Sequence, residues 1–329
     1  MNSGNLFLLF FLLPCVTVEA GFFDFFESLF CSCHFDGFKD ITIISEKDDL
    51  RHFDSKELKK DLRKFLYGQH IAKKTIQNVV SSFMEDSNPN KPLVLSFHGP
   101  PGVGKSYVTN IIARNIYKNG KKSKHVHTFK ADYLFQHKEM TRTYQTQLRE
   151  WIHGNVSCFP RSMFIFDKVD QMNPELIDAI TPFLEYNHQL DGVSFNNAIF
   201  IFISNSEKDA IINLTLDFWK EGRDREEIQM TSSGLETQIS QNIYNDKNDG
   251  FQHSSLLDHH LIDYFIPFLP LELKHVRQCV LSEMAHLKMN ADKDLADKVA
   301  RDMPFFPPEE KIFAVKGCKS VRQKLYAND

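Results

Sequence analysis

Gly99-Pro-Pro-Gly-Val-Gly-Lys-Ser106 has the spacing G-x-x-x-x-G-K-S. Glycines at such positions let backbone N–H groups turn inward around phosphate oxygens, where side chains would block the approach. The lysine ammonium reaches the β- and γ-phosphates, and the serine hydroxyl ligates Mg²⁺. An apolar run of buried-strand length, Leu93 to Phe97, precedes the octet, and a segment that reads as helix follows it. That strand–loop–helix context makes it a phosphate loop rather than a surface glycine loop, and the helix start favours the anion. Gly99, Pro100, Pro101, Gly102, Val103, Gly104, Lys105, Ser106 and Tyr107 are therefore the expected nucleotide contacts, with ATP and Mg²⁺ as the expected ligands.

Two further stretches end in polar side chains suited to the same site. Met163-Phe-Ile-Phe-Asp-Lys-Val-Asp170 is a hydrophobic run closing on acids, and Asp167 is placed to hold Mg²⁺ beside Ser106. Ala198-Ile-Phe-Ile-Phe-Ile-Ser-Asn205 is a buried strand tipped by an amide, which could position an attacking water or simply cap the strand.

These side chains need a scaffold. Apolar strands alternate with helical segments, which implies a parallel sheet flanked by helices on both faces, with ligands at the carboxyl ends of the strands. Ser106, Asp167 and Asn205 all fall at or just beyond such ends. Helices are expected over 56–65, 69–84, 144–152 and 174–186, and a second strand over 126–129. Residues 220–249 turn polar and read as a surface insertion or helix. Beyond prolines 267 and 270, helices over 271–287, 292–303 and 319–325 form a smaller helical unit. The expected division is 1–20 signal peptide, 21–44 Phe-rich segment, 45–266 large α/β nucleotide-binding domain and 267–329 small helical C-terminal domain.

Composition agrees with that size. The chain has 329 residues, 42% hydrophobic with thirty Phe, enough for a large core and too apolar for global disorder. A net charge of −4 gives no electrostatic reason to expect nucleic acid, and charge runs are short, as at 121–124.

The N-terminus supplies an address. Leu6 to Val18 is an apolar stretch too short to span a bilayer, and Val18-Glu19-Ala20 places small residues at the −3 and −1 positions of a cleavage site, although Lys and Arg are missing ahead of it. Cleavage there would leave a lumenal or extracellular chain, and the sequons at Asn155 and Asn213 suit glycosylation in that setting. Five cysteines would remain, Cys31, Cys33, Cys158, Cys279 and Cys318, an odd number that leaves at least one thiol free or paired between chains. Residues 21–38 can gather Phe22, Phe23, Phe25, Phe26, Leu29 and Phe30 on one broad helical face. That face would serve as a peripheral membrane anchor or partner helix, or as an arm docked on the protein's own core; both readings stand.

Phosphate loop, acid-tipped strand, Asn-tipped strand and small helical C-terminal unit together resemble an AAA+ ATPase. The wording of several segments is similar to the torsins, the AAA+ proteins of the endoplasmic reticulum and nuclear envelope lumen. These are Tyr67-Gly-Gln-His-Ile-Ala-Lys-Lys74, Ile152-His-Gly-Asn-Val-Ser157, Phe164-Ile-Phe-Asp167, Ile177-Asp-Ala-Ile180, Leu261-Ile-Asp-Tyr-Phe-Ile-Pro-Phe-Leu-Pro270 and Lys316-Gly-Cys-Lys319. The resemblance implies an ATP-coupled, chaperone-like remodeller of lumenal or nuclear-envelope proteins. It also implies a homo- or hetero-oligomer completed by the lumenal domain of a membrane-bound activator, which supplies an arginine finger. By resemblance Asn205 corresponds to the sensor-1 residue, Lys319 to the sensor-2 residue that reaches the γ-phosphate from the small domain, and Cys279 and Cys318 to a torsin redox pair. If those two form a disulfide, redox state could move Lys319; two buried free thiols are the other reading.

The sequence departs from the family at two places. Ser106 stands where torsins usually carry Asn, restoring the ordinary Mg²⁺-binding hydroxyl. Lys168 stands where an AAA+ ATPase carries the glutamate that deprotonates water, and a charged ammonium cannot act as that base. A second reading follows, an ATP-bound scaffold or switch subunit with little hydrolysis. A secreted phosphate-loop kinase fits the small domain and the Asn-tipped strand less well.

Overall fold

The computed structural model describes residues 49–131, 138–186, 189–230 and 254–328, with scattered positions between 234 and 242. The expected signal peptide, the Phe-rich segment, Cys31 and Cys33 lie outside the described residues. Among those described, no helix is long and apolar enough to cross a membrane.

Two helices precede the sheet. Helix α1, Ser55–Phe65, starts where the Asp54 side chain accepts from the Lys56 N–H at 2.8 Å, and it buries Leu58 and Leu62, one turn apart. Helix α2, His70–Glu85, buries Ile71, Ala72, Ile76, Val79, Val80 and Phe83, the recurrence expected of one helical face. The following elements are β1 (Leu93–His98), α3 (Lys105–Ile116), β2 (Val126–Lys130), α4 (Thr141–Cys158), β3 (Met163–Asp167), α5 (Pro174–Asp178), β4 (Ile199–Ile203), α6 (Lys208–Lys220) and β5 (Tyr264–Pro267). The five strands pair in parallel in the order β2-β3-β4-β1-β5.

Alternation along the strands divides the core in two. Leu93, Leu95 and Phe97 of β1, Met163 and Ile165 of β3, and Ile199, Ile201 and Ile203 of β4 face one side, packed with α1, α2, α3 and the C-terminal helices. Val94, Phe164, Phe166, Phe200 and Phe202 face the other, against α4 and α5. On that second face Phe164 lies over Phe200 at 4.9 Å and Phe129 over Phe166 at 4.9 Å between ring centroids, cross-strand aromatic pairs that help fix the register.

The chain leaves the sheet at Pro267 and enters a lid of α7 (Leu273–His286), α8 (Lys293–Arg301) and α9 (Val321–Asn328), with a small antiparallel pair of strands at 305–306 and 313–314. Three expectations need correction. The helix expected over 174–186 stops at Asp178 and gives way to a 3-10 turn, Thr181–Phe183, because Pro182 lacks an N–H and its ring excludes the carbonyl one turn back. Helix α4 runs on to Cys158, well past the expected end at 152. Helix α6 fills the stretch between the strand that ends near Asn205 and the polar segment from residue 220, where the sequence predicts no element.

Candidate functional site

The loop between β1 and α3 has its shape because glycine occupies it. Gly99 and Gly102 have φ of +139° and +78°, which L side chains rarely adopt, and a Cβ at either would collide with a backbone carbonyl oxygen, of Phe268 and Lys316 respectively. The loop is thus wedged between the end of the sheet and the lid. Cys318 of the lid donates its N–H to the Gly102 carbonyl at 3.0 Å. Gln69, fully buried, ties the other side: its amide nitrogen donates to the carbonyls of Val103 at 3.1 Å and Leu269 at 2.8 Å, while its oxygen accepts from the Leu269 N–H at 2.8 Å.

Lys105 opens α3 and is only 6% exposed. Its ammonium folds onto the carbonyls of Gly99 and Pro100 (2.8 Å to the second) and onto Asn205 Oδ1 at 3.2 Å. Burial pushes this ammonium down to about 7; Asp167 and Asp170 pull it back up, and Lys319 adds to the lowering. Ser106 Oγ donates to Asp167 Oδ2 at 3.3 Å, so a hydroxyl and a carboxylate from different elements face one point. Asn205 is held from behind by Asp170, whose Oδ1 accepts its backbone N–H at 3.2 Å.

These groups open into a cavity of about 730 Å³ between the large domain and the lid. Lys168 lies on its wall in the left-handed region at φ 65°. Lys130, Lys319 and Arg322 also border it, as do both cysteines of the Cys279–Cys318 disulfide. Arg322 is held by Glu283. The apolar part of its lining includes Phe65, Leu66, Leu271 and Val321.

The residues fit a magnesium nucleotide. Glycine cradle, inward-folded lysine, helix start and a paired hydroxyl and carboxylate are what a triphosphate with its cation requires. The structure brings Lys105, Ser106, Tyr107, Asp167, Asn205 and Lys319 to one cavity. The two sequons differ: Asn213 is exposed on α6, whereas Asn155 is 5% exposed and donates its amide to the Trp151 carbonyl at 2.8 Å. Cys158 is half-buried and takes no part in a disulfide.

Several contributors were not singled out as site residues from the sequence. Gln69 stands within one of the torsin-like segments, yet its role rests on backbone atoms 34 and 200 residues away. Behind Asn205, the buried His98 ring joins Ser96 Oγ at 2.6 Å to Ser206 Oγ at 3.3 Å, and burial with Lys105 nearby pushes the imidazole down to about 3, keeping it neutral. No local pattern announces either residue.

The chain matches two family models, one described as Torsin over residues 41–166 and one described as Torsin-1A, C-terminal domain, over residues 271–326. Among solved structures it is similar to the S. cerevisiae Hsp104–ADP complex, with a TM-score of 0.59 and 16% identity over 83% of this chain and 46% of that one. A closed-state reconstruction of Hsp104 with ATPγS and FITC-casein gives a TM-score of 0.57 at the same identity and coverage. The chain spans just under half the length of each Hsp104 chain, and at this identity the likeness shows a shared α/β AAA+ fold.

Proposed function

Because the chain belongs to the torsin family, we propose that it is an ATP-binding AAA+ protein of the endoplasmic reticulum and nuclear envelope lumen that remodels lumenal or nuclear-envelope proteins in step with its nucleotide state. The observation that carries ATP binding is the convergence of Lys105, Ser106 and Asp167 at the mouth of the glycine cradle. Bound Mg²⁺-ATP supplies the triphosphate and its cleavable terminal anhydride. Loop N–H groups and the α3 start surround the phosphate oxygens, protonated Lys105 counters their charge, and Ser106 with Asp167 holds the metal. Asn205 and Lys319 take the sensor-1 and sensor-2 roles, reporting the terminal phosphate to the sheet and to the lid. Apolar side chains of the lining, such as Phe65 and Leu271, suit the base. A lumenal activator domain supplies the arginine finger in an oligomer, and residues 21–38 make the peripheral membrane contact. Direct titration with a fluorescent ATP analogue tests the reading: saturable binding displaced by ATP supports it, and no binding overturns it.

One observation favours the second reading. Lys168 borders the cavity one residue after Asp167, where a glutamate would accept a proton from water. Its ammonium donates only, and it can pair with the terminal phosphate. On this reading the protein holds ATP as a switch and turns it over poorly.

The lowered Lys105 ammonium sets a pH dependence. The charged form meets the phosphates, so binding is complete below about pH 7 and weakens as Lys105 loses its proton above it. The loss approaches about tenfold per pH unit until the raised value of the bound state is reached. Calorimetry at alkaline pH in two buffers of different ionisation enthalpy should therefore show proton uptake on ATP binding. Equal heats would show that Lys105 is already fully charged in the free protein.

The Cys279–Cys318 disulfide closes a loop of 39 residues, and such a closure stabilises by about 4 kcal/mol in the chain-entropy account. Because Cys318 also bonds the phosphate loop and precedes Lys319, reduction should change ATP affinity as well as stability. Identical affinity in oxidised and reduced protein would remove the redox role.

A further inference from the structure

Helix α1 carries a charge pattern that the nucleotide site does not use. Lys56, Lys59, Lys60, Arg63 and Lys64 are all exposed. Their spacing places them on one stripe along about 12 Å of helix, opposite buried Leu58 and Leu62. The acids of the same helix do not dilute it. Glu57 is paired with Arg51 at 3.1 Å, and Asp61 is paired with Arg114 at 2.8 Å and accepts from Asn115 at 3.0 Å. Among the described residues none of the five cations makes an ion pair; Lys64 only rests over the Phe65 ring at 4.9 Å. In a chain of net charge −4 this is a local reversal of sign.

A helix face that is merely solvated gains support from opposite charges one turn apart. Here 56 with 60, 59 with 63 and 60 with 64 are like-charge pairs, each destabilising to the isolated helix. An anionic surface would turn that repulsion into binding. Four of the five cations are lysines, compact point charges that match a field of mobile headgroups better than the bidentate geometry of a protein carboxylate. The Phe-rich sequence at 21–38 shortly precedes α1 and has no Lys or Arg before position 39. Interfacial binding draws on apolar area and basic charge together, and this chain carries the two in neighbouring segments.

We propose that the basic stripe of α1 docks the protein on membrane surfaces rich in anionic phospholipid headgroups. The proposal is independent of the nucleotide reading. Co-sedimentation of the mature chain with vesicles tests it, using phosphatidylcholine alone and a phosphatidylcholine–phosphatidylserine mixture. Binding should favour the mixed vesicles and fall with salt. The triple variant Lys59→Ala, Lys60→Ala, Arg63→Ala should lose on the order of 100-fold in affinity, at about fivefold per cation, with melting temperature and ATP affinity unchanged. The charge-conserving variant Lys59→Arg, Lys60→Arg, Arg63→Lys should bind like wild type. Equal binding to neutral vesicles, or a triple variant that binds mixed vesicles like wild type, overturns the proposal. So does a triple variant whose defect is loss of ATP affinity or of an acidic protein partner while vesicle binding is kept.

Discussion

Lys168→Glu is expected to raise ATP turnover by about 10²- to 10⁴-fold in the presence of a torsin-type activator domain, the usual worth of a positioned general base. Asp167 sits at the end of β3, and the next residue turns into the left-handed region and borders the cavity. A carboxylate at that point can accept a proton from water, which an ammonium cannot while charged. The backbone already holds a non-glycine residue there, so Glu brings no new backbone strain. Lys168→Ala separates the two effects, since it removes the positive charge without supplying a base. If wild type and Lys168→Glu are both silent with activator, a part other than the base is missing. If wild type turns over as fast as Lys168→Glu, water is activated by another group and the remodelling reading stands without the switch.

Lys105→Ala is expected to weaken ATP binding by at least about 100-fold, the loss of roughly 3 kcal/mol of charged hydrogen bonding to phosphate. The fold should survive, because the ammonium is buried at a cost already visible in its lowered pKa, and removing it relieves that cost. Thermal unfolding distinguishes the two quantities. Wild type should gain about 2.7 kcal/mol of stability when ATP is present at a hundred times its dissociation constant. Lys105→Ala should gain almost none while melting near wild type in the absence of nucleotide. An unchanged ATP-dependent gain would mean that the cavity beside Lys105 is not the nucleotide site.

The placing of this site was legible where it is carried by neighbours in sequence. The octet from Gly99 to Ser106 joins β1 to α3 as its spacing implies, and Asp167 and Asn205 follow apolar runs buried on both faces, so their place at the strand ends followed. Lid helices were legible too, since α7 buries Val276, Val280 and Met284 at helical spacing. Helix α6 was not, because its apolar residues, Ile211, Ile212, Leu214, Leu216, Phe218 and Trp219, spread around the helix and leave no single apolar face. The failed helix at 174–186 turned on a single proline whose effect outweighs the apolar pattern around it. Gln69, Asp170 and His98 act through hydrogen bonds to atoms distant in sequence, where composition and spacing carry no signal.

The contact between Gly102 and Gly317 has a consequence for how the molecule comes apart. A Cβ on either residue would strike the backbone of the segment opposite, so the two segments meet backbone to backbone, with the Cys318 N–H as the fastener. Lid and phosphate loop are therefore one mechanical joint. A chain cut after the sheet would lose the support that shapes its anion cradle as well as the cover over it. Opening of the lid by any partner would pull on the loop through this joint while carrying Lys319 and Arg322 away from the cleft.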